Sequence, residues 1–248
     1  MVHAAAHVHV EAAGTDEART AFRRANVEGT CRLVQQAADA GVRRFVLISS
    51  IGVNGSHAAH PFTENDVPAP QGPYADSKLA AEQAVHDIAS RAGMEWVIIR
   101  PPLVYGTGAP GNFARLVRWM ASGVPLPLGA VRNRRTLVAI DNLTDLIVTC
   151  LRTAAAADQV FLAGDADSLS TPELLRVVAQ ALGGRARLVP IPVALLRIAG
   201  LLFGRSADVE RLCGDLEVDI GKARRLLGWT PPLSAREALW RAVAESAS

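Results

Sequence analysis

Between residues 26 and 100 the apolar positions change period several times. In "NVEGTCRLVQQAADAG", residues 26–41, they recur every three or four positions, the spacing of a helix with one buried face, and Gly41 supplies the stop. "RRFVLISS" at 43–50 is a continuous apolar run, which predicts a strand buried on both faces. A Gly- and Pro-rich polar stretch, 51–73, is long enough to be a functional loop. Helical spacing returns up to Gly93, and "EWVIIR" at 95–100 predicts the next strand, halted by Pro101 and Pro102. Further helices are predicted near 112–122, 142–153, 172–182, 193–203 and 234–245, with strands at 136–140, 159–164 and 186–191. Helices and strands alternating with short connections make an α/β fold with a parallel sheet.

"QGPYADSKLAAEQ", residues 71–83, sets Tyr74 and Lys78 four positions apart at the start of a helix. Residues at that spacing lie one above the other on a single face, so the phenol and the ammonium share a site. A nearby positive charge stabilises a phenolate and suits acid/base work on an alcohol or ketone. Taken alone, the pattern also fits an exposed helix start with a solvated lysine. The order along the chain decides: in an open parallel sheet ligands sit beyond the carboxyl ends of the strands. Ser49 and Ser50 end one predicted strand, Arg100 and two prolines end the next, and the helix between them carries Tyr74 and Lys78. A hydroxyl, a phenol and an ammonium at one edge make a coherent proton-transfer site.

"GTGAPG" at 106–111 reads G-x-G-x-x-G, the dinucleotide fingerprint. Its glycines begin several residues past the strand end, and no Asp or Glu occurs from Trp96 to Ile140 to hold a ribose, so the match is rejected. The same window carries Arg100, Arg115, Arg118, Arg132, Arg134 and Arg135. That one-sided charge suits a diphosphate gripped by guanidinium groups. Nucleic acid is the competing partner, but aromatic interleaving is sparse and the whole chain carries a net charge of only +2.

The chain has 248 residues, 50 % hydrophobic and 20 % charged, enough for one large or two small domains of ordinary soluble character. No run of apolar residues reaches membrane-spanning length; the most apolar helix, 191–204, is short and interrupted by Arg197, so burial is expected for it first and packing on a membrane surface or a partner second. The N-terminus lacks a secretion-signal layout, and Cys31, Cys150 and Cys213 are far apart and odd in number, which points to reduced thiols in the cytoplasm. His3, His7 and His9 cluster without an acidic or thiol partner at ligand spacing, so no metal is assigned.

"VHAAAHVHV", "NVEGT", "FVLISSIGVNG", the "TE" at 63–64, "YADSK", "IIRPPLVYG", "GNF", "RNRRTLVAIDNLTDLI" and "LGWTPP" follow one another in an order that resembles the extended short-chain dehydrogenase/reductases acting on nucleotide sugars. In wording the chain is similar to bacterial 4-ketoreductases of the UDP-N-acetylquinovosamine type, with UDP-glucose 4-epimerases as near relatives. The resemblance implies a Rossmann-type parallel sheet flanked by helices: residues 1–102 as the remaining part of the NAD(P)-binding domain, and 103–248 mainly as a smaller substrate lobe with segments returning to the sheet. It implies catalysis by Tyr74, Lys78 and Ser50, with Lys78 lowering the tyrosine pKa. NAD or NADP would be lined by Ala5, Ala6, Asn26, Ser49, Tyr74, Lys78 and Pro101. The UDP-sugar would be held by Asn112, Arg135, Arg211 and Glu64. Asn54 stands where many relatives have tyrosine, and Leu103 where epimerases often carry asparagine.

The resemblance implies reduction at C4 of a UDP-4-keto-6-deoxy-N-acetylhexosamine first and UDP-sugar 4-epimerisation second; the rival of another class is a truncated, non-catalytic UDP-sugar-binding module. It also implies a homodimer through helices 26–40 and 76–92. Members of that family open with a strand, a G-x-x-G-x-x-G turn, a helix and two more strands, roughly 60 residues for such a half-fold. Here "VHAAAHVHV" matches the fourth strand, so Met1 is expected to be a misplaced start or fragment boundary and the adenosine end of the site to be absent.

Overall fold

A computed structural model describes residues 1–8, 15–57, 60–109 and 112–246. Strand β1, Val2–His3, is followed by α1, Asp16–Phe22, which begins where the Thr15 hydroxyl accepts a hydrogen bond from the Ala18 N–H at 3.2 Å. Asp16 and Glu17 in its first turn complement the helix dipole. The helix runs on through a π-helical segment, Arg23–Glu28, into α2, Gly29–Asp39. Thus the helix predicted from residue 26 starts ten residues earlier, at Asp16 just after the Thr15 cap, and Asn26 lies inside it.

β2, Arg44–Ile48, precedes the long loop, and α3, Pro73–Ala92, starts with proline in its first turn and ends at Gly93, whose φ of 65° is the left-handed conformation of a helix stop. β3 is Glu95–Arg100 and β4 Leu103–Tyr105; α4, Asn112–Ala121, leads to β5, Leu137–Ala139, and α5, Ile140–Arg152. Then come β6, Gln159–Leu162, and α6, Thr171–Ala181, opened by a capping box between Ser170 and Glu173. α7, Val193–Leu202, α8, Ser206–Cys213, α9, Gly221–Leu227, and α10, Ala235–Ser246, complete the described chain. The strand predicted at 186–191 does not form: Leu188 makes a single bridge to Leu126. Pro190 and Pro192 on one side, and Pro125 and Pro127 on the other, remove the N–H groups a longer ladder needs.

Among the described residues the main sheet is parallel throughout, in the order β1-β2-β3-β6. Alternation sorts its side chains. Phe45, Leu47 and Ile98 face α2 and α3, packing with Val34, Ala81, Val85 and Ala89. Val46, Val97, Ile99 and Phe161 face α5 and α9, meeting Leu143, Leu146 and Ala223. Helices on both faces account for strands with no polar alternation. A second cluster surrounds β4 and β5 with α4, α6 and α10, where Leu175 and Leu239 are fully buried.

Buried hydrogen bonds stitch the two regions together. The Tyr105 hydroxyl donates to Asp165 at 2.6 Å, and Asp165 also accepts from the Ala139 N–H at 2.9 Å and the Asn142 amide at 2.7 Å. Asn142 in turn holds both backbone groups of Leu233, just before α10. Asp165→Ala removes the acceptor shared by three buried donors and leaves the Ala139 N–H and one Asn142 amide proton unpaired, while the Tyr105 hydroxyl keeps the Ala235 carbonyl at 3.2 Å. It is expected to lower the unfolding free energy by about 3 kcal/mol or more, read by urea denaturation; a loss within experimental error would show that these bonds do not hold the lobe in place.

Candidate active site

β2 and β3 end at the same edge, where the ladder continues as Ser49 N–H to Ile99 C=O, 2.7 Å, and Ile51 N–H to Pro101 C=O, 2.9 Å. The segment 4–8 leaves β1 at the same end. α3 enters here because Gly72, at φ 90°, turns the loop into the helix. Tyr74 and Lys78 occupy its first two turns on one face. The Tyr74 ring meets Phe22 edge-on at 5.9 Å, and Phe22 meets His7 at 5.8 Å. The Lys78 side chain is 2 % exposed, and its Nζ donates to the Ile48 carbonyl at 2.7 Å, the last residue of β2.

Burial pushes the Tyr74 phenol above its ordinary range, and hydrogen bonding to the Ser50 hydroxyl pulls it partway back. The sequence pattern had implied a tyrosine pKa lowered by Lys78; here the ammonium is committed to a carbonyl and desolvation of the phenol prevails. Burial also depresses Lys78 to about 8, with the Glu82 carboxylate opposing the shift. Tyr74 is therefore protonated at neutral pH, beside a lysine that titrates within reach of it.

Glu82, one further turn along α3, is buried and receives Arg100 through both Nε and Nη2, the shortest contact being 2.6 Å. Arg100 Nη1 donates to Asn54 Oδ1 at 3.0 Å, and Asn54 donates to the Thr63 carbonyl at 3.0 Å. This network ties strand end, helix and loop together. Arg100 is accordingly removed from the cationic set expected to meet a diphosphate, because its guanidinium is buried against Glu82. Nothing in the local pattern marked Glu82; its i, i+4 spacing from Lys78 was the available signal.

Asn26 is 2 % exposed, and its amide holds the His7 N–H at 2.7 Å, the His7 carbonyl at 3.0 Å and the Ser77 hydroxyl at 3.0 Å. It fixes the segment holding Ala5 and Ala6 against α3, and its place in the π-helical segment, not at a cap, gives it that reach. Pro101 is buried at the end of β3. Ser49 is 5 % exposed, and among the described residues its Oγ is the buried side-chain polar atom without a hydrogen-bond partner. Glu64 accepts from the Leu162 N–H at 2.9 Å, at the carboxyl end of β6, and burial raises its pKa. Arg135 Nη1 donates to the carbonyls of Arg211, 2.7 Å, and Gly214, 3.1 Å, so both predicted arginines meet at the end of α8. Asn112 opens α4; its side chain lies outside the described ones.

The glycine motif has a packing explanation: a β-carbon on Gly106 would collide with the Ile140 side chain, while residues 110–111 lie outside the described ones. His3 bonds Thr30 at 3.0 Å, His9 is outside the described residues, and among those described no cluster fit for a metal occurs.

Residues 1–164 match the NAD dependent epimerase/dehydratase family. The chain belongs to that family. It is 45 % identical over 240 residues to a UDP-glucose 4-epimerase of Vibrio cholerae, an alignment covering 96 % of this chain and 73 % of that protein. Two of the solved structures that share the fold illustrate it. A UDP-glucuronic acid 4-epimerase from Bacillus cereus in complex with NAD superposes with a TM-score of 0.76 at 21 % identity, covering 94 % of this chain and 71 % of that one. RMD from Pseudomonas aeruginosa complexed with NADPH gives 0.79 at 22 %, covering 100 % and 81 %. The chain is thus an NAD-dependent enzyme of the epimerase/dehydratase family.

The residues present fit the nicotinamide end of that cofactor: the unpartnered Ser49 hydroxyl, the Lys78 ammonium with further protons to donate, and the Tyr74 phenol all gather at the strand ends.

Lys78 provides a test of this electrostatic setting. An ammonium depressed in the folded state binds fewer protons folded than unfolded between the two pKa values, so its burial cost is full below about 8 and is relieved as pH rises toward 10.5. Wild-type stability should therefore gain on the order of 2 kcal/mol relative to Lys78→Met between pH 8 and pH 10. Urea unfolding of both proteins across that range measures it, and identical pH slopes would show that Lys78 does not titrate there.

Proposed function

We propose that the chain is a 4-epimerase of a UDP-hexose, working at C4 through Tyr74, Lys78 and Ser50. The observation that carries this reading is the meeting of the Tyr74 phenol, the Ser50 hydroxyl and the buried Lys78 ammonium at the carboxyl ends of β2 and β3. The 45 % identity to a UDP-glucose 4-epimerase supports epimerisation better than the 4-keto reduction expected first. The nicotinamide cofactor supplies hydride acceptance and return at C4. Tyr74 rests protonated, so its own proton first leaves to solvent; the phenolate then takes up the proton of the 4-hydroxyl while hydride leaves C4, and returns it to the same oxygen once the ketone has turned over and hydride has come back to the other face. Ser50 holds that oxygen, and Lys78 supplies positive charge beside the phenol. Arg135 and Arg211 are assigned to the diphosphate with Asn112, and Glu64 to the sugar. One feature favours 4-keto reduction as a second reading: Leu103, 42 % exposed at the start of β4, occupies the position where epimerases often carry asparagine.

Incubating the purified chain with UDP-glucose and NAD and resolving UDP-galactose by chromatography tests the reading. Tyr74→Phe is expected to lower turnover by roughly 10²-fold or more with little change in KM. A variant of near wild-type rate would remove Tyr74 from the chemistry. NADH consumption with a UDP-4-keto sugar, in the absence of UDP-galactose formation, would select the reductase; UDP binding with neither activity would select a non-catalytic module.

The same reading includes a homodimer through residues 26–40 and 76–92. α2 and α3 lie side by side over one face of the sheet, and their outward positions include Gln35, Gln36, Gln83, His86 and Asp87. Light scattering at micromolar concentration should give twice the 26.3 kDa of the chain; a monomer would rule the dimer out.

A further inference from the structure

α7 shows an apolar stripe to solvent. Val193 and Leu196 pack onto the lobe core, and Gly200 lets α8 approach so closely that a β-carbon there would lie 2.7 Å from Val209. The opposite side presents Leu195, Ile198, Leu201, Leu202 and Phe203, the last three 74, 77 and 79 % exposed. The burial expected for this helix from its composition is therefore only half achieved. Leu195, Ile198 and Leu202 stand at i, i+3 and i+7, so the exposed residues form one continuous face. An apolar surface of this kind on a water-facing helix calls for an occupant.

Charge identifies the occupant. From residue 174 to 207 there is no Asp or Glu, while Arg176, Arg185, Arg187, Arg197 and Arg205 fall in that interval and are exposed. Asp208 and Glu210 on α8 pair with Arg205 at 3.6 Å and Arg197 at 3.5 Å, whereas Arg185 and Arg187, in the stretch leading into α7, make no ion pair among the described residues and keep their charge. Exposed leucines and a phenylalanine in a stretch whose sequence is rich in arginine and free of acids are the composition of a helix that lies in the headgroup region of an anionic bilayer. Ten residues cannot cross a membrane, and among the described residues no helix is long and apolar enough to do so. A second copy of the chain is the less favourable occupant, because two-fold pairing of this face brings the same arginines together.

We infer that α7, with Phe203, docks the protein on the surface of an anionic phospholipid membrane. The probe is co-sedimentation of the full chain with vesicles of phosphatidylcholine containing about a third phosphatidylglycerol, against vesicles of phosphatidylcholine alone. Partitioning to the anionic vesicles is expected to be roughly tenfold stronger and to weaken with added salt. The triple variant Leu201→Glu, Leu202→Glu, Phe203→Glu should lose roughly tenfold in partitioning with an unchanged circular dichroism spectrum, because these side chains touch little of the protein. Arg185→Glu with Arg187→Glu should remove the preference for anionic lipid. Absence of binding to either vesicle, or equal binding by wild type and triple variant, overturns the inference. So does lipid-independent self-association that the triple variant abolishes, which would assign the face to a second copy.

Discussion

Glu82 is a carboxylate almost closed off from water, and its side chain is matched by a guanidinium, that of Arg100, which is equally enclosed. Such a pair gives little net stability, since desolvation of both ions offsets their attraction, but breaking it leaves a buried charge uncompensated. Its consequence is geometric. Glu82 belongs to α3 and Arg100 ends β3, so the helix cannot slide along the sheet without separating them. The same helix carries Tyr74 two turns earlier and Lys78 one turn earlier, and the Lys78 ammonium is pinned to the end of β2. The position of the phenol at the strand ends thus follows from a charge pair that takes no part in proton transfer.

The network extends to the loop through Asn54, which joins Arg100 to the Thr63 carbonyl. Glu64, next in sequence, takes the Leu162 N–H of the neighbouring strand. A loop of polar and Gly/Pro residues is held in this way by side chains that satisfy backbone groups, as a loop lying over a sheet edge must be. Just past the end of β6, Asp165 does the equivalent for the lobe, gathering Tyr105, Ala139 and Asn142. Asp165 thereby links Tyr105 and Ala139 of the lobe cluster to α5, whose Leu143 and Leu146 belong to the core of the main sheet.

Much of the site was legible because its chemistry is local. Tyr74 and Lys78 are four residues apart on one helix, and Ser49 and Ser50 directly follow an apolar run, so helical period and strand length bring them to the same edge. Strands β2 and β3 and helices α3, α5, α6 and α10 fell close to their predicted spans for the same reason. β4, α8 and α9 were not foreseen; they are three, eight and seven residues long, too short for a period to emerge, and they owe their form to partners distant in sequence.

The sequence by itself determined the alternation of helix and strand, the parallel sheet and the meeting of Tyr74, Lys78 and two serines at one sheet edge, because these depend on periodicity and on neighbours within a few turns. Only the tertiary structure decided which charges are buried and what they touch. Arg100 and Arg135 look alike in a basic window, yet one is enclosed against Glu82 and the other braces the carbonyls of Arg211 and Gly214. Asn26 opened the predicted helix and instead lies inside a longer one, where it clamps the backbone of His7. α7, the most apolar helix, was expected inside and presents half its surface to solvent. The physical reason is common to all of these: burial, and with it the strength of every charge and hydrogen bond, is set by atoms far away along the chain.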